Sequence, residues 1–117
     1  MSVFERVGGT PAVTALIDNF YVKIMASPLV TPTFAGRDIS VIKAHSVAYF
    51  SSALGSGVAY EGRTILQSHT GLGVTEEQYN AVAAMLVATM NEMNISADIQ
   101  AEIVRVATSI KAEIVGH

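Results

Sequence analysis

Residues 53–75 read ALGSGVAYEGRTILQSHTGLGVT, with five glycines and room for one short helical turn, Thr64 to Thr70, closed by Gly71 and Gly73. On both sides of this stretch the apolar residues recur at helical spacing. Antiparallel helices of a plain bundle are joined by about two to eight residues, whereas this connection runs to about twenty. Something other than helix-on-helix contact must hold it. The reading is of an all-α chain built around a loop-rich middle.

Working back from that middle, Ile39, Ile42, His45, Ser46, Tyr49, Phe50 and Ala53 share one face of a helix that opens near Asp38 and stops at Gly55. Before it, Val13, Leu16, Ile17, Phe20, Ile24 and Met25 mark another helix face, with Thr10-Pro11 as its expected start. Pro28 and Pro32 end that helix and force an irregular segment through Phe34, Ala35 and Gly36. Working forward, Thr75-Glu76-Glu77-Gln78 reads as a capping box. The helix behind it buries Tyr79, Val82, Leu86, Met90 and Met93. Ser96 caps the last helix, whose inward positions are Ile99, Ile103, Val106, Ala107, Ile110 and Ile114. No period-2 strand, internal repeat or low-complexity tract is evident, and four substantial helices are expected.

Composition narrows the function. The chain has 117 residues, formal net charge −3, no Cys, and 50% apolar residues. One domain over 1–117 can bury a small core. Without Cys there is no disulfide framework, no thiolate metal site and no cofactor attached through thioether bonds. The 7 Lys and Arg are scattered, which argues against nucleic acid as a partner. Ala81–Met90, the most apolar stretch, is too short to span a bilayer. No signal peptide is evident, so the expectation is a soluble, cytoplasmic chain. Half the residues are apolar in a domain with little volume to hide them.

Three side chains stand out. His69 follows Ile65 and Leu66 by about one turn, so its imidazole is aimed at the apolar interior. It is either a core histidine satisfied by a carbonyl, or a metal ligand whose second nitrogen such a bond has prepared. His45 lies on the apolar face of its helix beside Ser46, as an edge residue reaching solvent or as a second ligand to the same centre. Tyr21 sits at the border of the buried stripe, either filling core or donating a hydrogen bond to a polar ligand inside. Other sites fit poorly: there is no repeated Glu-x-x-His for di-iron, no His-Glu-x-x-His for zinc, and no phosphate loop. The adjacent Ser68 and His69 face different ways and make no nucleophile–base pair.

In order along the chain come Phe4-Glu5-Arg6-Val7-Gly8-Gly9, Phe20-Tyr21, Thr33-Phe34-Ala35-Gly36, Ala53-Leu54-Gly55, Tyr60-Glu61-Gly62-Arg63 and Leu66-Gln67-Ser68-His69. That ordered set resembles a truncated haemoglobin of the first group, a 2-on-2 globin, over essentially the whole chain. The resemblance implies a 2-on-2 helical sandwich around a non-covalent haem b. It implies His69 as the proximal iron ligand, Tyr21 as the distal hydrogen-bond donor, Phe34 packed on the porphyrin and Ile42 at a distal apolar gate. Ser46 and Phe50 match distal or tunnel-lining positions, Arg63 and Leu66 fall in the cofactor-binding segment, and His45 matches a position where some members carry a sixth ligand. Many members have glutamine where this chain has Ser46. The position that some members link covalently to haem through a histidine is Ile110 here, and His117 comes too late to replace it.

The function implied is reversible binding of dioxygen, carbon monoxide or nitric oxide, in the roles of oxygen transport or nitric oxide detoxification. The alternative is a nitric oxide dioxygenase that yields nitrate with an external reductase. A monomer is expected. A haem would also supply the missing core and pin the glycine-rich middle.

Overall fold

The structure is a computed structural model that describes residues 2–61 and 72–116. Arg63, Leu66, His69 and the expected turn from Thr64 to Thr70, like His117, lie outside the described residues. Among the described residues every regular element is helical: α1 (Val3–Val7), α2 (Gly9–Met25), a 3₁₀ segment (Thr31–Phe34), α3 (Ile39–Ala53), α4 (Glu76–Glu92), α5 (Ala97–Ser109) and α6 (Lys111–Ile114).

Local chemistry sets most of these boundaries. Asp38 caps α3, its carboxylate accepting from the Ser40 N–H at 3.0 Å and the Ser40 hydroxyl at 2.6 Å. Those bonds hold its carboxyl below the usual carboxylate range. At α4 the capping box is complete: Gln78 N–H donates to Thr75 Oγ1 at 3.1 Å, and Thr75 N–H donates to Gln78 Oε1 at 3.0 Å. Glu76 and Glu77 in the first turn face the positive end of the helix dipole. Ser96 is the N-cap of α5, but its hydroxyl goes to Asp98 at 2.7 Å and makes no capping bond.

Three expectations need correction. The second helix opens at Gly9, and Thr10 makes no cap. The short helix α1 runs straight into it through Gly8, whose φ of +121° suits glycine, and where an added Cβ would stand 2.9 Å from Ala12 Cβ. Pro11 is tolerated because the first helical N–H groups have no intrahelical acceptor to lose. Met25, expected in the buried stripe, is 39% exposed at the last residue of α2. The last helix also breaks at Ile110, so Ile114 is carried by the separate turn α6.

The core forms where the stripes meet. Val13, Leu16, Ile17, Phe20 and Ile24 of α2 are buried with Leu86 and Met90 of α4 and Ile99, Ile103 and Val106 of α5. The central helix α2 packs on both α3 and α4, and α4 packs on α5. At the N-terminus, Phe4 N–H donates to the Leu54 carbonyl at 2.9 Å, and Arg6 pairs with Asp98, fixing α1 across the ends of α3 and α5. No described helix is long and apolar enough to cross a membrane.

Candidate functional site

A cavity of about 340 Å³ lies between α2, α3, α4 and the C-terminal segment. One wall is made by neighbouring turns of two helices. The same 3.6-residue stripe that buries Phe20 and Ile24 in α2 brings Tyr21 to the wall, where it is 9% exposed. Facing it, α3 contributes Ile42, Ser46 and Phe50, spaced by four residues each and therefore on one face. Phe34, delivered by the 3₁₀ segment, closes one end with its ring edge-on to Tyr21 at 6.0 Å.

This wall carries a part-buried hydroxyl pair. Tyr21 Oη and Ser46 Oγ are 3.2 Å apart, and either can donate. Burial pushes the Tyr21 hydroxyl above its ordinary pKa, and the Ser46 bond only partly offsets this. The phenol therefore stays protonated. With Ser46 donating to Tyr21 Oη, the tyrosine proton is free for a third group in the cavity.

His45 lines the same cavity, yet its residue is exposed, so it stands where the cavity meets solvent rather than deep on the apolar face. Val41, 49% exposed, and Arg37 flank the same opening. The structure thus brings Tyr21, Phe34, Ile42, His45, Ser46 and Phe50 to one cavity. Among the described residues no group of three or more His, Cys, Asp or Glu is placed to hold a metal ion.

The opposite wall is made largely of residues that helical spacing marks only as inward-facing. Leu72, Val74, Tyr79 and Val82 line it together with Ile110 and Ile114. Tyr79 is fixed by its hydroxyl donating to the Ala107 carbonyl at 2.7 Å, and Gly116 N–H donates to the Val74 carbonyl at 2.9 Å, tying the C-terminal segment to the strand of chain before α4. A second aromatic contact was equally hidden: Tyr49 meets Tyr60 and Phe50 edge-on at 5.5 and 5.9 Å. Aromatic residues at helical spacing were the available signal, but the spacing alone does not separate core from cavity wall.

Comparison with known proteins sets this arrangement in context. Residues 2–115 match the bacterial-like globin family. The group 1 truncated haemoglobin GlbN of Synechocystis sp. is 34% identical over 110 residues, covering 91% of this chain and 89% of its own length. Among solved structures, THB1 of Chlamydomonas reinhardtii is 32% identical with a TM-score of 0.83, covering 98% of this chain and 97% of its own. The 2/2 haemoglobin of a Synechococcus species, solved with covalently attached haem, is 29% identical with a TM-score of 0.89, over 97% of this chain and 95% of its own.

Proposed function

The chain belongs to the bacterial-like globin family as a group 1 truncated haemoglobin, and from that membership we propose that it holds haem b non-covalently in the α2–α3–α4 cavity and binds diatomic gases there reversibly. The observation that carries this reading is the cavity itself. Concave, mostly apolar pockets of several hundred Å³ with a few convergent polar groups are where proteins hold small molecules and cofactors. A space of about 340 Å³ with largely apolar, aromatic-rich walls and a part-buried hydroxyl pair has the character of such a site.

Bound haem supplies an iron that takes a diatomic gas; the side chains decide how well the gas is kept. His69 is the residue proposed to bond the iron from the protein, with Arg63 and Leu66 in the same segment. Phe34, Ile42 and Phe50 exclude water from the distal side. Tyr21 donates to the polar end of the ligand, and Ser46, by donating to Tyr21 Oη, leaves that proton available. Such a bond to a partly charged acceptor contributes roughly 1–3 kcal/mol. Tyr21→Phe keeps the ring and removes the proton, so dioxygen dissociation measured by ligand-replacement stopped flow should speed up by roughly 5- to 150-fold. An unchanged rate would remove Tyr21 from the ligand's surroundings.

His45 is proposed as a reversible second axial ligand. Its place at the mouth lets it enter or leave without disturbing the core. Apparent affinity for an external ligand then falls by the fraction of protein in which His45 has swung away. On His45→Ala the resting ferric spectrum should lose its low-spin component; a low-spin form that persists means that a group other than His45 is the sixth ligand.

The second reading is nitric oxide dioxygenase activity. It uses the same donor and the same dry cavity and needs an external reductase. Sustained formation of nitrate from nitric oxide with a reductase present favours it; binding without turnover favours the carrier role.

A further inference from the structure

We propose that Arg37 is the anchor for the anionic end of the cavity's occupant, which on the haem reading above, on which this inference rests, is a propionate carboxylate. Six of the chain's seven Lys and Arg fall among the described residues. Five of them are ion-paired: Arg6 with Asp98, Lys23 with Glu92 at 2.7 Å, Lys43 with Asp18 at 2.9 Å, Arg105 with Glu102 at 3.0 Å and Lys111 with Glu76 at 2.6 Å. Arg37 alone has no carboxylate partner among the described residues. It is also the one described Arg that lines the large cavity. In a chain with net charge −3, an arginine at the opening of the cavity is a feature that ion pairing among the described residues does not explain.

Its surroundings keep it available. The neighbouring carboxylate, Asp38, is committed to the backbone N–H and hydroxyl of Ser40 as the cap of α3. The Arg37 backbone is itself fixed, its N–H donating to the Phe34 carbonyl at 3.0 Å across a turn in which Gly36 takes a φ of +74°. The turn that places Phe34 in the wall therefore also places the guanidinium at the mouth. An occupant with an apolar body and charged ends lies body inward and charge outward. A planar guanidinium fork suits a carboxylate with two parallel hydrogen bonds, where a lysine offers only a point charge.

The test is the rate at which ferric protein loses haem to excess apomyoglobin, followed by Soret absorbance. It is run on the wild type, Arg37→Gln and Arg37→Lys, each loaded with haem or with haem dimethyl ester, which lacks the carboxylate charges. Arg37 is exposed, so the variants should match the wild type in far-UV melting. With ordinary haem, Arg37→Gln should lose it about two- to fivefold faster, the range expected of an exposed ion pair. Arg37→Lys should fall between, and added salt should narrow the gap. With the ester, wild type and Arg37→Gln should lose it equally fast. Equal rates with ordinary haem, or the same acceleration with the ester, would overturn the assignment. Failure of the wild type to take up haem would bring down the functional reading, and this inference with it.

Discussion

Replacing His69 by alanine should leave a folded protein that lacks the absorption of a histidine-bound ferrous haem. The chain has three histidines. His117 is the terminal residue, and His45 stands at the cavity mouth on α3, on the same side as Tyr21 and Ser46. In the proposed arrangement His45 approaches the haem from the Tyr21 side and does not replace His69. Loss of the His69 bond leaves haem held by packing, by Arg37 at the mouth and by whatever bond His45 makes, so haem affinity should fall and the ferrous spectrum should lose the bands of a His69-bound haem. Imidazole added to the variant should fill the vacated position and restore the wild-type ferrous bands, a rescue that a merely structural histidine would not show. An unchanged ferrous spectrum in His69→Ala would mean that another side chain is the ligand.

Ile103→Ala should be the most destabilising of the simple truncations, at about 2–5 kcal/mol. Ile103 is 0% exposed and lies in α5, the helix that packs against α1, α3 and α4. Met90 and Thr89 of α4, a helix that α5 packs against, are also fully enclosed, so the surroundings have little freedom to collapse into the space left behind. Against a typical net stability of about 5–15 kcal/mol, that loss is large. The measurement is the urea midpoint of the haem-free protein, because a ligand bound only by the native state would mask the difference. The slope should be unchanged while the midpoint drops. Val104→Ala, next along the helix and 37% exposed, is the control and should move stability by no more than about 0.5 kcal/mol. Equal midpoints for Ile103→Ala and the wild type would contradict the packing described.

How much of this could be read from residues alone follows from the range of the forces involved. Asp38, the Thr75–Gln78 box and the stripes of α2, α4 and α5 were legible because capping and amphipathic spacing act within a few residues. The joint at Gly8 was not, since α1 has 5 residues, too few to show a period. The cap misassigned to Thr10 follows from that, because a hydroxyl before proline looks like a start when the helix ahead of it is invisible. Ile42, Ser46 and Phe50 were legible as one face of a helix because they are four residues apart, whereas only the family resemblance set Tyr21 opposite them. Tyr79, Val82 and Ile110 were read as packed core, since an apolar side chain facing a cavity carries the same pattern as one facing another side chain. The solitude of Arg37 was out of reach for a different reason: three of the five ion pairs join residues more than 30 positions apart, so only the fold reveals which cation is left over.

The central claim is that the α2–α3–α4 cavity is a haem site, and titration of the purified haem-free protein with ferric haem tests it most directly. The prediction is a sharp Soret band that grows linearly and stops at one haem per chain. The ferrous form should then bind carbon monoxide with a shifted Soret maximum. A broad spectrum like that of free haem, rising without an end point, would contradict it.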